Sequence, residues 1–220
     1  MDTKKFIDSM NKIKLSLEEV NKAREIVISG QRKTIRVCSE AIKSVHRKEF
    51  DVADEKIADA KERFKKLATN VKGFKTLECW RGLDDVAQEL GEAIIINAIV
   101  RYDTIPSVEE CQIPYTSYML ATSDVIGELR RFMMDSLRTR KFDEAQRAFD
   151  YMEFLYSELM TVDYTKMLVG PLRTKLDSGR NLVNRSRSDL IQALQAYDLK
   201  ESLLELSTKL DNLKKKESTK

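Results

Sequence analysis

A chain of 220 residues with only seven glycines and three prolines has few places at which a helix can stop. Proline lacks the amide that a helix needs, and glycine carries the largest backbone entropy cost, so their scarcity leaves long helices as the default. Leu, Ala, Lys, Glu and Arg dominate the remainder, which points the same way. Strand and helix patterns do not alternate, and no Gly-rich phosphate loop with a Walker-type Lys-Ser/Thr is present. Nucleotide-hydrolysing folds are therefore set aside. The expected architecture is all-α, with roughly seven helices in an up-and-down bundle.

Residues 1–213 read as a single helical domain, and KKKESTK at 214–220 as a disordered basic tail. Helical periodicity is almost unbroken over residues 3 to 48, with Gly30 as its one soft point. A second helix spans Phe50 to Val71 and is closed by Gly73. The clearest break is DTIPSVEECQIP at 103–114, where Pro114 stands ready to start the next helix. A further helix runs to about Met160, and the connector TVDYTKMLVG leads to Gly170-Pro171, after which further helices follow to about Leu213. The junction Arg47-Lys48-Glu49-Phe50 is echoed by Arg140-Lys141-Phe142, a hint of a duplicated hairpin. Leu199, Leu203, Leu206, Leu210 and Leu213 alternate four and three apart, forming a seam for a helix of the same bundle or of another subunit.

Two helices carry acids where a core would be expected. In Leu83 to Tyr102, at about 100° per residue, Asp85, Glu89 and Glu92 share a face that Ile96 and Ile99 continue. In Ser117 to Leu137, Asp124 and Glu128 share a face with Leu120 and Ala121. If these helices pack, Glu89, Glu92, Asp124 and Glu128 come together as four carboxylates. Such groups cannot crowd a low-dielectric interior unless they are protonated or a cation neutralises them. Oxygen-only ligands suit Mg²⁺ or Mn²⁺. The same spacing also suits two ordinary acidic faces answered by nearby Lys and Arg. Arg131, three residues after Glu128, is a charge partner for the cluster or a local ion pair.

The net charge is only +3, which excludes a general polycation but not a local basic patch. Such a patch lies on the first helix, where Arg32, Arg36, Lys43 and Arg47 share a face with His46 beside them. Val37, Cys38, Ala41 and Val45 lie opposite, and only Glu40 interrupts the basic stripe. His46 is the only histidine, which excludes His-bearing zinc sites and Glu-x-x-His di-iron bundles within one chain. Cys38, Cys79 and Cys111 are odd in number and have no metal-ligand spacing, as expected of free or buried thiols in a reducing compartment. The longest apolar run, Ala93 to Val100, is too short to span a bilayer, and the N-terminus has no apolar signal region. A soluble, cytoplasmic protein is expected.

The run SGQRKTIRVCSEAIKSVHRKEF, the Glu89-Leu-Gly-Glu92-Ala element, IPYTSYMLATSDVIGELRRFMMDSL and PLRTKLDSGRNLVNRSRSDL resemble the translin family. The resemblance extends from about residue 5 to 213 and rests on the order and spacing of these segments. It is greater to the catalytic-type paralogue, translin-associated factor X, and to archaeal homologues than to translin itself. Glu89, Glu92, Asp124 and Glu128 match that paralogue's Glu-x-x-Glu and Asp-x-x-x-Glu, which the resemblance implies bind Mg²⁺ and cut single-stranded RNA. Trp80-Arg81, by contrast, resembles the Trp-Arg of translin, so the chain mixes features of both paralogues. The resemblance implies a homo-oligomeric shell, an octamer in the family, with the basic stripe lining its cavity. Asp85 is not part of the resemblance; it shares a helix face with Glu89 and is expected to stand behind it.

Three functions remain open on this reading. The first is a Mg²⁺-dependent endoribonuclease in a homo-oligomer, with Arg32, Arg36, Lys43, His46 and Arg47 gripping phosphates. The second is a non-catalytic scaffold for single-stranded RNA or DNA, like translin proper. The third is a helical-hairpin adaptor for another protein, resting on the echoed junction and the leucine seam.

Overall fold

The structure is a computed structural model that describes residues 3–74, 77 and 81–217, with the side chains of Arg81 and of 210–217 outside the description. Trp80 and Cys79, and the tail residues 218–220, fall outside the described residues.

Among the described residues there are eight helices and no strand. They are α1 (Thr3–His46), α2 (Phe50–Val71), α3 (Arg81–Tyr102), α4 (Val108–Cys111), α5 (Tyr115–Arg138), α6 (Phe142–Met160), α7 (Lys166–Val169) and α8 (Leu172–Glu217). Six are long, and α4 and α7 are single turns. The all-α expectation holds. The short α4 falls inside the expected break, where Ser107 and Glu110 form a reciprocal capping box. Pro114 sits just outside α5, its carbonyl accepting from Tyr118 N–H at 2.9 Å. Where further helices were expected after Pro171 there is one, α8, continuous to Glu217 and so into the stretch expected to be a disordered tail.

The chain divides into two compact units, residues 1–125 with 163–175, and residues 126–162 with 176–220. Helices α5 and α8 each run from one unit into the other. In the first unit the C-terminal half of α1 packs against α2 and α3. Its buried side chains include Cys38, Ala41 and Val45 of α1, Ala53 and Ala60 of α2, and Leu90, Ile95, Ile96 and Ile99 of α3. Removing such aliphatic surface from water is the main driving force for this packing. Gly30, expected to be a soft point, is instead a contact point: a methyl group there would run into Leu67 Cδ2 of α2. Helix α1 continues through it without a break.

In the second unit Ile126, Leu129 and Met133 of α5, Phe149, Met152 and Leu155 of α6, and Leu176, Val183 and Leu190 of α8 are buried. Arg130 spans to α8, donating to Ser186 Oγ at 2.7 Å and to Asp189 Oδ2 at 2.7 Å.

The echoed junctions fold alike. Lys48 and Arg140 both adopt left-handed backbone, with φ of 62° and 58°. After α1, Lys48 N–H donates to Val45 O and Glu49 N–H to Ser44 O, each at 2.9 Å. After α5, Arg140 N–H donates to Leu137 O at 3.0 Å and Lys141 N–H to Ser136 O at 2.9 Å. Both are Schellman closures, which satisfy the last carbonyls of a helix and turn the chain sharply into the next one.

Candidate metal and nucleic-acid site

Helices α3 and α5 pack, as the site requires. They meet where neither side chain stands in the way. A methyl group at Gly91 would lie 2.6 Å from Ile113 Cδ1 and 2.9 Å from Ala121 Cβ. Only glycine allows this approach. Gly91 lies between Glu89 and Glu92, and Ala121 is one turn before Asp124, so the close approach falls at the level of the acids. Two hydrogen bonds join the helices: Gln88 Nε2 donates to Asp124 Oδ2 at 2.6 Å, and Ser117 Oγ donates to the Asp84 carbonyl at 3.4 Å.

Glu89 and Glu92 are half-buried. Their charges are felt on α1, where burial and then the Glu89 carboxylate, with a smaller contribution from Glu92, push the Cys38 thiol up to about 12. The acids are therefore within electrostatic reach of a core thiol, in line with their continuation into Ile96 and Ile99, which are buried.

Asp124 is also half-buried, and its second oxygen is taken. Lys175 Nζ, from the first turn of α8, makes a very short ion pair with Asp124 Oδ1. Both side chains are about three-quarters shielded, with 26% of Lys175 and 27% of Asp124 exposed. Among the described residues no three His, Cys, Asp or Glu side chains are gathered tightly enough to hold a metal ion. The chemistry of the donors nevertheless suits a hard cation. The groups are oxygen-only and partly shielded from water, but the Asp124 carboxylate is already neutralised by the Lys175 ammonium. Glu128 follows Asp124 by one turn on α5 and is paired locally with Arg131 Nη1 at 3.6 Å. Asp85 is exposed and accepts from Gln31 Nε2 at 3.5 Å, at the rim of this face.

The basic stripe of α1 is on the surface as expected. Arg32, Arg36, Lys43 and Arg47 are exposed and His46 is half-buried in the last turn. Cys38, Ala41 and Val45 of the opposite face are fully buried, and Val37 is half-buried. Glu40, the one acid in the stripe, is neutralised from two sides. Lys56 of α2 pairs with it at 2.8 Å and Arg36 at 3.2 Å, and together they hold its carboxyl below the ordinary value. Arg47 pairs with Glu49 at 3.7 Å. Arg32 lines a hollow of about 420 Å³ with Glu25, Ile28, Ser29 and Lys33.

Three side chains that engage acids on these faces have no signal in the sequence pattern used above: Gln88, Lys56 and Lys175. Gln88 stands one turn before Glu92 and could have been found from register. Lys56 and Lys175 act on acids 16 and 51 residues away, where no local pattern signals the pairing.

The chain is 30% identical over 200 residues to the uncharacterized protein MJ0175 of Methanocaldococcus jannaschii, covering 90% of this chain and 88% of that one. Its fold matches the crystal structure of AfC3PO with a TM-score of 0.76 at 28% identity, over 86% of this chain and 98% of that one. The chain belongs to the translin family. AfC3PO in complex with duplex RNA matches this translin-family chain with a TM-score of 0.75 at 27% identity, over 86% and 97% of the two chains. For apo-NeC3PO, at 20% identity, a TM-score of 0.76 over 84% and 96% shows the shared fold. No protein-family model matches the sequence. Among the described residues no helix is long and apolar enough to cross a membrane.

Proposed function

We propose that this translin-family chain is a metal-dependent endoribonuclease that cuts single-stranded RNA within a cytoplasmic homo-oligomer. The observation that carries the reading is the packing of α3 on α5 at Gly91 and Ala121, reinforced by the Gln88–Asp124 hydrogen bond. It brings the helix that bears Asp124 against the helix that bears Glu89 and Glu92. Glu128, one turn further along α5, completes the proposed ligand set for Mg²⁺ or Mn²⁺. Bound there, the metal would activate a water and stabilise charge on the phosphodiester.

The chain's own groups do the rest. Gln88 fixes the rotamer of Asp124, Arg131 balances Glu128, and Asp85 adds negative charge behind Glu89. Arg32, Arg36, Lys43, His46 and Arg47 bind phosphates, reading backbone charge more than base identity. Self-association is supported by apolar side chains left in water on long helices. Phe6 is 67% exposed on α1 and Leu199 is 63% exposed on α8, with Leu203 and Leu206 exposed beside it. An octamer, the assembly of the family, is the proposed form.

Incubating a labelled oligoribonucleotide with Mg²⁺ or with chelator tests the reading. Cleavage only with Mg²⁺, lost in Glu89→Ala while RNA binding is kept, is the expected result. Full activity in Glu89→Ala would remove Glu89 from the catalytic set. A second reading, a scaffold for single-stranded RNA or DNA without turnover, is favoured by the engagement of Asp124 with Lys175. It predicts salt-sensitive binding and no cleavage under either condition. Because AfC3PO has been captured with duplex RNA, a duplex substrate belongs in the same experiment.

A further inference from the structure

Helices α6 and α8 leave between them, within the second unit, a hollow of about 260 Å³. Glu153, Tyr156 and Ser157 line it from α6, and Arg180, Asn184 and Arg187 from α8. Within each set the residues recur at helical spacing, so each set occupies one helix face. The Tyr156 ring packs over Gly179 of α8, and its hydroxyl accepts from Arg180 Nε–H at 3.0 Å.

The hydrogen bonds in this hollow use its acceptors and leave donors over. Arg187 is committed: it pairs with Glu153, donates to Asn184 Oδ1 at 3.3 Å and lies over the Phe149 ring at 5.8 Å. Arg180 is engaged through Nε alone, and among the described residues no group takes the hydrogens of its two terminal nitrogens. Asn184 turns its oxygen to Arg187 and keeps its amide hydrogens, and Tyr156 accepts from Arg180 and keeps its own. The exposed Ser157 hydroxyl has no partner among the described residues. With Glu153 neutralised by Arg187, the lining carries the positive charge of Arg180, which Asp177, one turn back on α8, offsets in part.

A surplus of donors around a cation suits an anion with several oxygens. A guanidinium takes two phosphate oxygens in its fork, and a tetrahedral phosphate has others left for hydroxyl and amide donors. A carboxylate would spend both oxygens on the fork. Pockets that enclose a small organic ligand run to about 300–1,000 Å³, so this smaller hollow takes the phosphate group and leaves sugar and base outside. We infer that the hollow between α6 and α8 is a phosphate-binding site, for the oxyanion of a nucleic-acid strand or of a free mononucleotide. Arg180 is its anchor, and Ser157 and Asn184 are its further donors. The site belongs to the other unit from the α1 stripe and needs neither the proposed metal nor cleavage.

Two probes of the full-length chain separate the two sources. One is calorimetric titration with AMP, and the other is anisotropy of a labelled oligoribonucleotide at several salt concentrations, without divalent metal. Arg180→Gln removes the fork at an exposed position, and Asn184→Asp puts a carboxylate into the hollow. Arg185→Gln, exposed on the same helix but outside the lining, loses the same charge and is the control. Arg180→Gln and Asn184→Asp are each expected to weaken one probe about tenfold while Arg185→Gln stays near wild type. Glu153→Gln, which removes the carboxylate of the lining, is expected to tighten the same probe. Weakened RNA binding, with the salt slope of Arg180→Gln lowered by about one, marks a contact to a strand. Weakened AMP binding marks a mononucleotide site. Affinities for both probes that are unchanged in Arg180→Gln and Asn184→Asp, or that fall equally in Arg185→Gln, overturn the site, as does a wild-type chain that binds neither probe.

Discussion

At the scale of single residues, Cys38 connects the acids to the core. Its thiol is pushed from an ordinary 9.0 up to about 12, by burial first and then by the Glu89 carboxylate. The thiolate is the nucleophile, so Cys38 in the folded protein is expected to resist iodoacetamide at pH 8 and to react once denatured, as read by mass spectrometry. The same shift has a consequence for stability. Well below pH 9 the thiol is neutral in both states and contributes no pH dependence. Above it, the unfolded chain releases a proton that the native state keeps, so stability falls as pH rises towards 12. Urea midpoints of the wild type are therefore expected to fall more steeply over this range than those of Cys38→Ala. Parallel slopes would mean that the thiol is not held neutral by its surroundings.

At the scale of elements, the α3–α5 packing and the two Schellman closures make separate demands on single positions. Gly91→Ala puts a methyl group against Ala121 Cβ, which is fixed to the backbone and cannot rotate away. Overpacking of this kind costs about 1–3 kcal/mol, to be measured by denaturant titration. Ala121→Gly in the same chain is expected to recover part of that loss, because it removes one of the two obstructing atoms. A loss left unrecovered would shift the strain to Ile113. At Arg140 the backbone is left-handed with a side chain attached. Arg140→Gly relieves that strain while raising unfolded-state entropy, so a gain of up to about 1 kcal/mol is expected. Lys48→Gly is expected to behave the same way, because its hydrogen bonds follow the same pattern.

At the scale of the whole molecule, the long helices expose apolar side chains that one subunit does not cover. Charges placed there, as in Leu199→Lys with Leu203→Lys, are expected to lower the particle mass measured by light scattering while leaving helix content unchanged. Nucleic-acid binding belongs to this scale as well, since it depends on summed charge. Replacing Arg32 and Arg36 by alanine is expected to weaken RNA affinity and flatten its salt dependence by about one unit of slope for each phosphate no longer neutralised. An unaltered slope would place the RNA elsewhere on the protein.

The sequence by itself determined that the chain is built of long helices and which faces carry the acids and the bases, though not the single-turn helices α4 and α7. Those properties arise between residues three and four apart, so Glu89, Glu92, Asp124, Glu128 and the Arg32–Arg47 stripe could be read from register alone. The echo around Lys48 and Arg140 was legible too, because a Schellman closure lies within six residues of chain. Tertiary structure decided what each of those groups faces. It put Gly91 against Ala121, let the Glu89 charge reach Cys38, and brought Lys56 to Glu40 and Lys175 to Asp124. An ion pair between residues 51 positions apart leaves no trace in local periodicity. It exists only because packing makes a shielded carboxylate seek the nearest available positive charge.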